Sequence, residues 1–267
     1  MSDTATISQG RGLLNRVPEV TVFFWLIKLL AVTVGETAAD YLAGNLGMGL
    51  ANTTYLMTAI LAVVLIFQFS RKRYVAGPYW LAVTMVSIVG TLITDNLTDR
   101  LEVSLYISTA VFAVALAAVF AIWHAREGTL SIHTIYTTRR EAFYWLAVLL
   151  TFALGTAGGD LLSEEIGLGY VKTGLLFLVG IAIVTGMWKL GANAIGMFWA
   201  AYIMTRPLGA SLGDFMSQPG SEGGLGLGTT GTSIIFLLAI LTLVIYLSVT
   251  KVDRTELRRG TDADVLP

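Results

Sequence analysis

Four times along the chain, a tryptophan is followed ten residues later by a glycine and five residues after that by an aspartate. The sets are Trp25, Gly35, Asp40; Trp80, Gly90, Asp95; Trp145, Gly155, Asp160; and Trp199, Gly209, Asp214. An aromatic residue precedes each tryptophan: Phe24, Tyr79, Tyr144 and Phe198. Self-similarity at a fixed period marks an architecture of equivalent units, none of which buries its apolar face alone. Trp25 to Trp145 spans 120 residues and Trp80 to Trp199 spans 119, so the chain also reads as two double-repeat halves.

The medium in which these units fold follows from composition. Of 267 residues, 55% are hydrophobic and 13% charged, and the mean hydropathy is +0.73. Soluble domains carry about 25% charged residues, so this chain lacks the charge to clothe itself in water and must use lipid as part of its solvent. Apolar runs long enough to cross about 30 Å of hydrocarbon fall near 20–41, 53–70, 78–97, 103–123, 143–162, 173–189, 193–215 and 231–250. The expected fold is all-α: a polytopic bundle of about eight transmembrane helices in four two-helix repeats, near 18–73, 74–127, 138–190 and 191–250. Residues 1–17 and 251–267 read as terminal segments outside a single membrane domain at 18–250. The first 17 residues lack the order of a signal peptide, so the first span reads as retained. Glycine, with 28 copies, suits close helix approach in such a bundle.

Charge sets the expected orientation. Arg11, Arg16, Arg71, Lys72, Arg73, Arg126, Arg139, Arg140, Lys189, Lys251, Arg254, Arg258 and Arg259 all fall on one side, against Arg100 and Lys172 on the other. By the positive-inside rule both termini are cytoplasmic, and the expected location is a bacterial cytoplasmic membrane. Two spans per unit give all four repeats the same orientation, as in parallel repeats related by an axis along the membrane normal.

A second element, G-x-G-x3-T, recurs at Gly47, Gly49, Thr53; Gly167, Gly169, Thr173; and Gly226, Gly228, Thr232. Repeat two reads with Val103 and Leu105 in place of the glycines. Each unit is therefore expected to be a helix ending at Asp, a short turn, and a return helix opening near a Thr or Ser cap. These glycine turns follow no strand and lack the Lys and Ser/Thr of a phosphate loop, which argues against nucleotide binding. Over roughly residues 17–250, the four Trp-bearing two-span copies resemble a family of bacterial membrane proteins defined by a tandem repeat of unknown function. That resemblance implies topology and carries no functional residues with it.

The chemistry-bearing residues are acidic. An ionisable side chain inside a span is costly unless it pairs, faces the protein interior or lines a wet cavity. Fifteen residues of helix rise about 22 Å, so with each Trp near one interface, Asp40, Asp95, Asp160 and Asp214 are expected at one level near the other. Glu36, Asp99, Glu164 and Gln218 lie four residues from these aspartates, one helical turn away. Thr37, Thr91, Thr94, Thr156 and Ser211 add hydroxyls. Oxygen ligands without cysteine or clustered histidine suit a hard cation or a carboxylate-borne proton, with Glu36, Asp40 and Asp160 as candidate metal ligands. The alternative is structural, each Asp bonding the amides of its own turn. Glu36 is not dictated by the repeat, since Thr91, Thr156 and Ala210 fill the matching positions.

Two basic residues interrupt spans. Lys28, one turn above Trp25, is expected to snorkel to the interface. Arg206 precedes Pro207, which is expected to kink or break its helix, and its expected acidic partners are Asp214 or Glu36. Zero cysteines and two histidines in one loop exclude disulfides and thiolate or His-rich metal sites, and no nucleophilic triad is visible, so the chain does not read as an enzyme. No cofactor and no nucleic-acid partner are expected. The expected function is a secondary transporter, an exporter of a small cation such as Mn²⁺ exchanged for protons. The alternatives are a cation channel with an acidic outer ring, or a membrane scaffold that binds lipid.

Overall fold

The computed structural model describes residues 15–254. Arg11, Arg258 and Arg259, with most of the two terminal segments, lie outside the described residues. Eight long helices carry the fold: α1 (Val22–Asp40), α2 (Leu50–Phe69), α3 (Ala76–Asp95), α4 (Leu105–Glu127), α5 (Thr138–Asp160), α6 (Gly169–Lys189), α7 (Ala194–Ser217) and α8 (Gly228–Thr250). Four start at a side-chain cap: Thr21, Ser104, Thr137 and Asn193 each accept an amide two or three residues on. Seven helices are long and apolar enough to cross a membrane. The exception, α7, has the length but carries Arg206, Pro207 and Asp214.

The odd-numbered helices form a closed inner ring, α1 against α3, α3 against α5, α5 against α7, and α7 back against α1. The even-numbered helices stand outside it. Half or more of each apolar inner span is buried, against less than a quarter of each outer one. Exposed Leu, Ile and Val cover α2, α4, α6 and α8, as lipid-facing helices require. Each outer helix leans chiefly on the inner helix of the following repeat: α2 on α3, α4 on α5, α6 on α7, and α8 on α1.

The repeated glycine is what allows the inner ring to close. Built onto Gly35, a Cβ would stand 2.6 Å from Ser87 Cβ; on Gly90, 2.7 Å from Phe152 Cβ; on Gly155, 2.5 Å from Arg206 Cβ; on Gly209, 2.8 Å from Val32 Cβ. Ser87, Phe152, Arg206 and Val32 each lie seven residues after the tryptophan of the next repeat in the cycle. Each glycine thus receives its neighbour's side chain. The aromatic pair repeats the same cycle. Trp80 packs on Phe24 at 5.6 Å between ring centroids, Trp145 on Tyr79 at 5.5 Å, Trp199 on Tyr144 at 6.3 Å and Trp25 on Phe198 at 5.6 Å. The tryptophans are ring-closing packing elements as much as interface anchors.

Three details differ from the sequence reading. In the second repeat the glycine positions are held by Glu102 and Ser104, not Val103 and Leu105: Glu102 takes the left-handed backbone, φ 54°, that Gly47 and Gly167 take at 65° and 76°. Ser104 caps α4. Thr53, Thr173 and Thr232 do not cap the return helices; they are the fourth or fifth residue of each, fully buried. Pro207 does not break α7, which runs unbroken through it. Its ring lies against Gly155 and Gly159, where no side chain pushes the helix apart. The Tyr202 carbonyl, in the turn Pro207 loosens, accepts from Lys28 Nζ and Thr205 Oγ1.

Candidate functional site

Asp40, Asp95 and Asp160 each end an α-helix, and each is followed by a five-residue π-helical turn: Tyr41–Asn45, Asn96–Arg100 and Leu161–Glu165. In the fourth repeat α7 continues to Ser217, and Gly220–Glu222 form a 3₁₀ turn instead. No capping bond joins the side chain of Asp40, Asp95 or Asp160 to the turn that follows. The expected stitching of each hairpin by its aspartate is therefore absent at these three residues. All four aspartates remain partly exposed, and each lies within Coulombic reach of both its ring neighbours, Asp95 with Asp40 and Asp160, Asp214 with Asp40 and Asp160. Glu36 acts on all four. Asp99 and Glu164, both exposed, extend the cluster outwards. Carboxylates from every repeat thus gather at one end of the ring, here called the Asp end. Among the described residues no three His, Asp or Glu side chains stand close enough to hold one metal ion. Glu36, Asp40 and Asp160 accordingly form no ready cage in this conformation.

Four residues below the aspartates the axis is closed. Arg206, 1% exposed, passes over Gly155 and reaches three other repeats. Its Nη2 donates to Glu36 Oε2 at 2.6 Å, to Thr156 Oγ1 at 2.6 Å and to Thr91 Oγ1. Of the two acidic partners considered from sequence, Glu36 is the one it takes. Thr94 bonds Gly90 and Ala153 carbonyls and Thr37 meets Ser233 Oγ at 2.7 Å, so these two hydroxyls join helices and do not face the arginine. Ser211 is buried beside Gly174.

Below Arg206 lies Lys28. It does not snorkel: it is 1% exposed, donates to the Tyr202 carbonyl at 2.9 Å and to Thr205 Oγ1, and sits 4.1 Å from the Tyr202 ring centroid. All of these contacts are neutral, and Arg206, another cation, acts on it through space. Beneath it, the Tyr144 and Tyr79 hydroxyls hydrogen-bond each other, filling the ring's other end, the Trp end.

A cap of loops and terminal segments seals the Trp end. Asn15 donates to the Ile132 carbonyl and accepts from Ile135 N, while its carbonyl receives Tyr74 N. Tyr74 Oη donates to Asp253 Oδ2, and Glu19 N donates to the Asp253 carbonyl. Glu141, fully buried, takes Arg16 at 2.6 Å, Gln68 at 3.1 Å and Trp145 Nε1 at 3.4 Å. Burial raises the Asp253 carboxyl above the usual range, although Tyr74 opposes the shift by donating to it. Burial, with the Asp253 contact, also raises the Tyr74 phenol. Sequence reasoning missed this cap because Asn15, Tyr74 and Asp253 belong to neither recurring motif. Their only signal is a polar residue beside an apolar one in a short loop.

The fold and this axis define a polytopic helical membrane protein with four like-oriented repeats around one pseudo-fourfold axis. The chain belongs to the family described as Repeat of Unknown Function (DUF347), whose signature matches it four times in tandem, at residues 23–74, 78–129, 143–191 and 197–253. No curated protein and no solved structure matches it.

Proposed function

We infer that the protein is a secondary transporter of a small hard cation, exchanged for protons through its intramembrane carboxylates, with both termini in the cytoplasm of a bacterial cell. The observation that carries this reading is the convergence of partly exposed aspartates from all four repeats, three of them without a bond to their own turn, above a closed throat. Carboxylates held inside a span without fixed partners are suited to exchanging protons for metal. Oxygen-only chemistry favours Mg²⁺, Ca²⁺ or Mn²⁺. The closed throat supports a carrier over an open channel: Arg206, Lys28 and the tyrosine layer fill the axis, so a passing ion requires rearrangement. The scaffold reading draws on one observation, the lack of three carboxylates close enough to ligate an ion in this state.

The test is flux of Mn²⁺, Ca²⁺ and Mg²⁺ into proteoliposomes under a pH gradient. Saturable, gradient-dependent uptake that is lost in Asp160→Asn is the expected result. Uptake that saturates in the wild type but persists in Asp160→Asn removes the ring from the mechanism. Non-saturating current independent of protons selects the channel, and no flux of any cation selects the scaffold.

A further inference from the structure

The contacts of Arg206 are unusual in a way that identifies a second, deeper site. A guanidinium presents its donors as a planar fork and is best matched by acceptors spread along it. Here three acceptors from three repeats, Glu36 Oε2, Thr91 Oγ1 and Thr156 Oγ1, converge on the single nitrogen Nη2, which has two hydrogens to offer them. Meanwhile Nε and Nη1, equally buried, have no partner. The surroundings therefore fit a point cation better than they fit an arginine.

The hydroxyls are oriented for that role. Thr91 Oγ1 donates to the Ser87 carbonyl at 3.2 Å and Thr156 Oγ1 to the Phe152 carbonyl at 3.0 Å, the residue four positions back in each helix. The Thr156 proton is thereby directed to the backbone and the Thr91 proton to the backbone or to Glu36 Oε2 at 3.5 Å, which leaves lone pairs towards the centre. Glu36, Thr91 and Thr156 all stand eleven residues after the tryptophan of their repeat, and the fourth such position is Ala210, which offers no oxygen. The Glu36 and Thr156 distances of 2.6 Å approach those of oxygen ligands around a hard cation, about 2.3–2.6 Å for Ca²⁺.

We propose that Glu36, Thr91 and Thr156 form a binding site for a partly hydrated hard cation, and that Arg206 occupies it as a tethered competitor. Cation arriving from the Asp end displaces Nη2, and Arg206 returns to neutralise Glu36 once the cation has left. The site's assignment to transport rests on the carrier reading above; its capacity to bind does not.

The experiment measures thermal stability and Mn²⁺, Ca²⁺ and Na⁺ binding on detergent-solubilised full-length protein. A competitor that occupies the site lowers apparent affinity in proportion to the fraction of time it is bound. Arg206→Met is therefore expected to bind at least one of the three ions about tenfold or more tightly than wild type, with a saturable rise in melting temperature. That rise should vanish in Arg206→Met/Glu36→Gln, a neutral pair that keeps both volumes, and should weaken in Arg206→Met/Thr91→Val. Arg206→Met that is indifferent to all three ions, or that fails to fold in the presence of any of them while the double variant folds, overturns the site. Tight binding by Arg206→Met, together with no flux of any cation by the wild type in proteoliposomes, would leave the site standing and remove the carrier.

Discussion

The two ends of the inner ring are built from the same repeat and behave as opposites. At the Trp end, side chains are paired: aromatic rings pack in a cycle, Tyr144 bonds Tyr79, and Glu141 takes three donors. At the Asp end, identical residues recur in every repeat, yet three of the four lack a bond to their own turn, and ring neighbours repel one another at a partly exposed mouth. Buried polar groups tied to several partners make a rigid seal, whereas like charges left unpaired are tolerated only where water or a ligand attends them. Strict recurrence therefore says nothing by itself about stability. The Trp end is where the repeat is structural, and the Asp end is where it is exposed to chemistry.

Changes at the two ends should separate accordingly. The largest effect is expected in the ring itself. Gly155→Ala drives a methyl into Arg206 and Pro207, and overpacking of this kind costs about 1–3 kcal/mol. Gly186→Ala, on the exposed side of α6 where nothing stands within 4 Å, should instead gain up to about 1 kcal/mol from helix propensity. Unfolding of the two variants side by side in detergent measures this, and equal stability would refute the glycine-to-neighbour closure.

A smaller effect of opposite sign is expected from Asp95→Asn. Neutralising one aspartate relieves repulsion from Glu36, Asp160 and Asp40, so stability should rise by a few tenths of a kcal/mol to about 1 kcal/mol. A loss of melting temperature would mean that the carboxylate is a structural bond after all.

The smallest effect concerns the cap. Asp253 has a raised pKa in the folded state, so the fold binds its proton more tightly than the unfolded chain does. Its contribution therefore favours folding below the unfolded carboxylate pKa and is lost as pH rises through the folded value. Wild type should gain stability relative to Asp253→Asn as pH is lowered through that window. Parallel melting curves at all pH values would show that Asp253 is not the titrating group.

The sequence revealed the spans, because an apolar run of about twenty residues has few alternatives, and revealed the like orientation of the units. It also made Glu36 stand out, since the repeat itself does not call for an acid there. What it left hidden was set by packing between repeats. Nothing local says that α2 leans on α3, that Gly155 makes room for Arg206, or that Lys28 turns inwards to a carbonyl. Glu102 was missed for a different reason: a left-handed turn was sought by its glycine, while the second repeat makes it with another residue.

The lean of α8 on α1 carries a consequence for biosynthesis. Of these eight helices, the first to leave the ribosome gains its outer covering from the eighth. Until α7 and α8 are made, α1 must wait in lipid with one flank bare and its Glu36 without the arginine that α7 brings. Release from the insertion machinery and completion of the fold are thereby tied to the arrival of the final repeat, so a chain truncated after the third should remain an open arc.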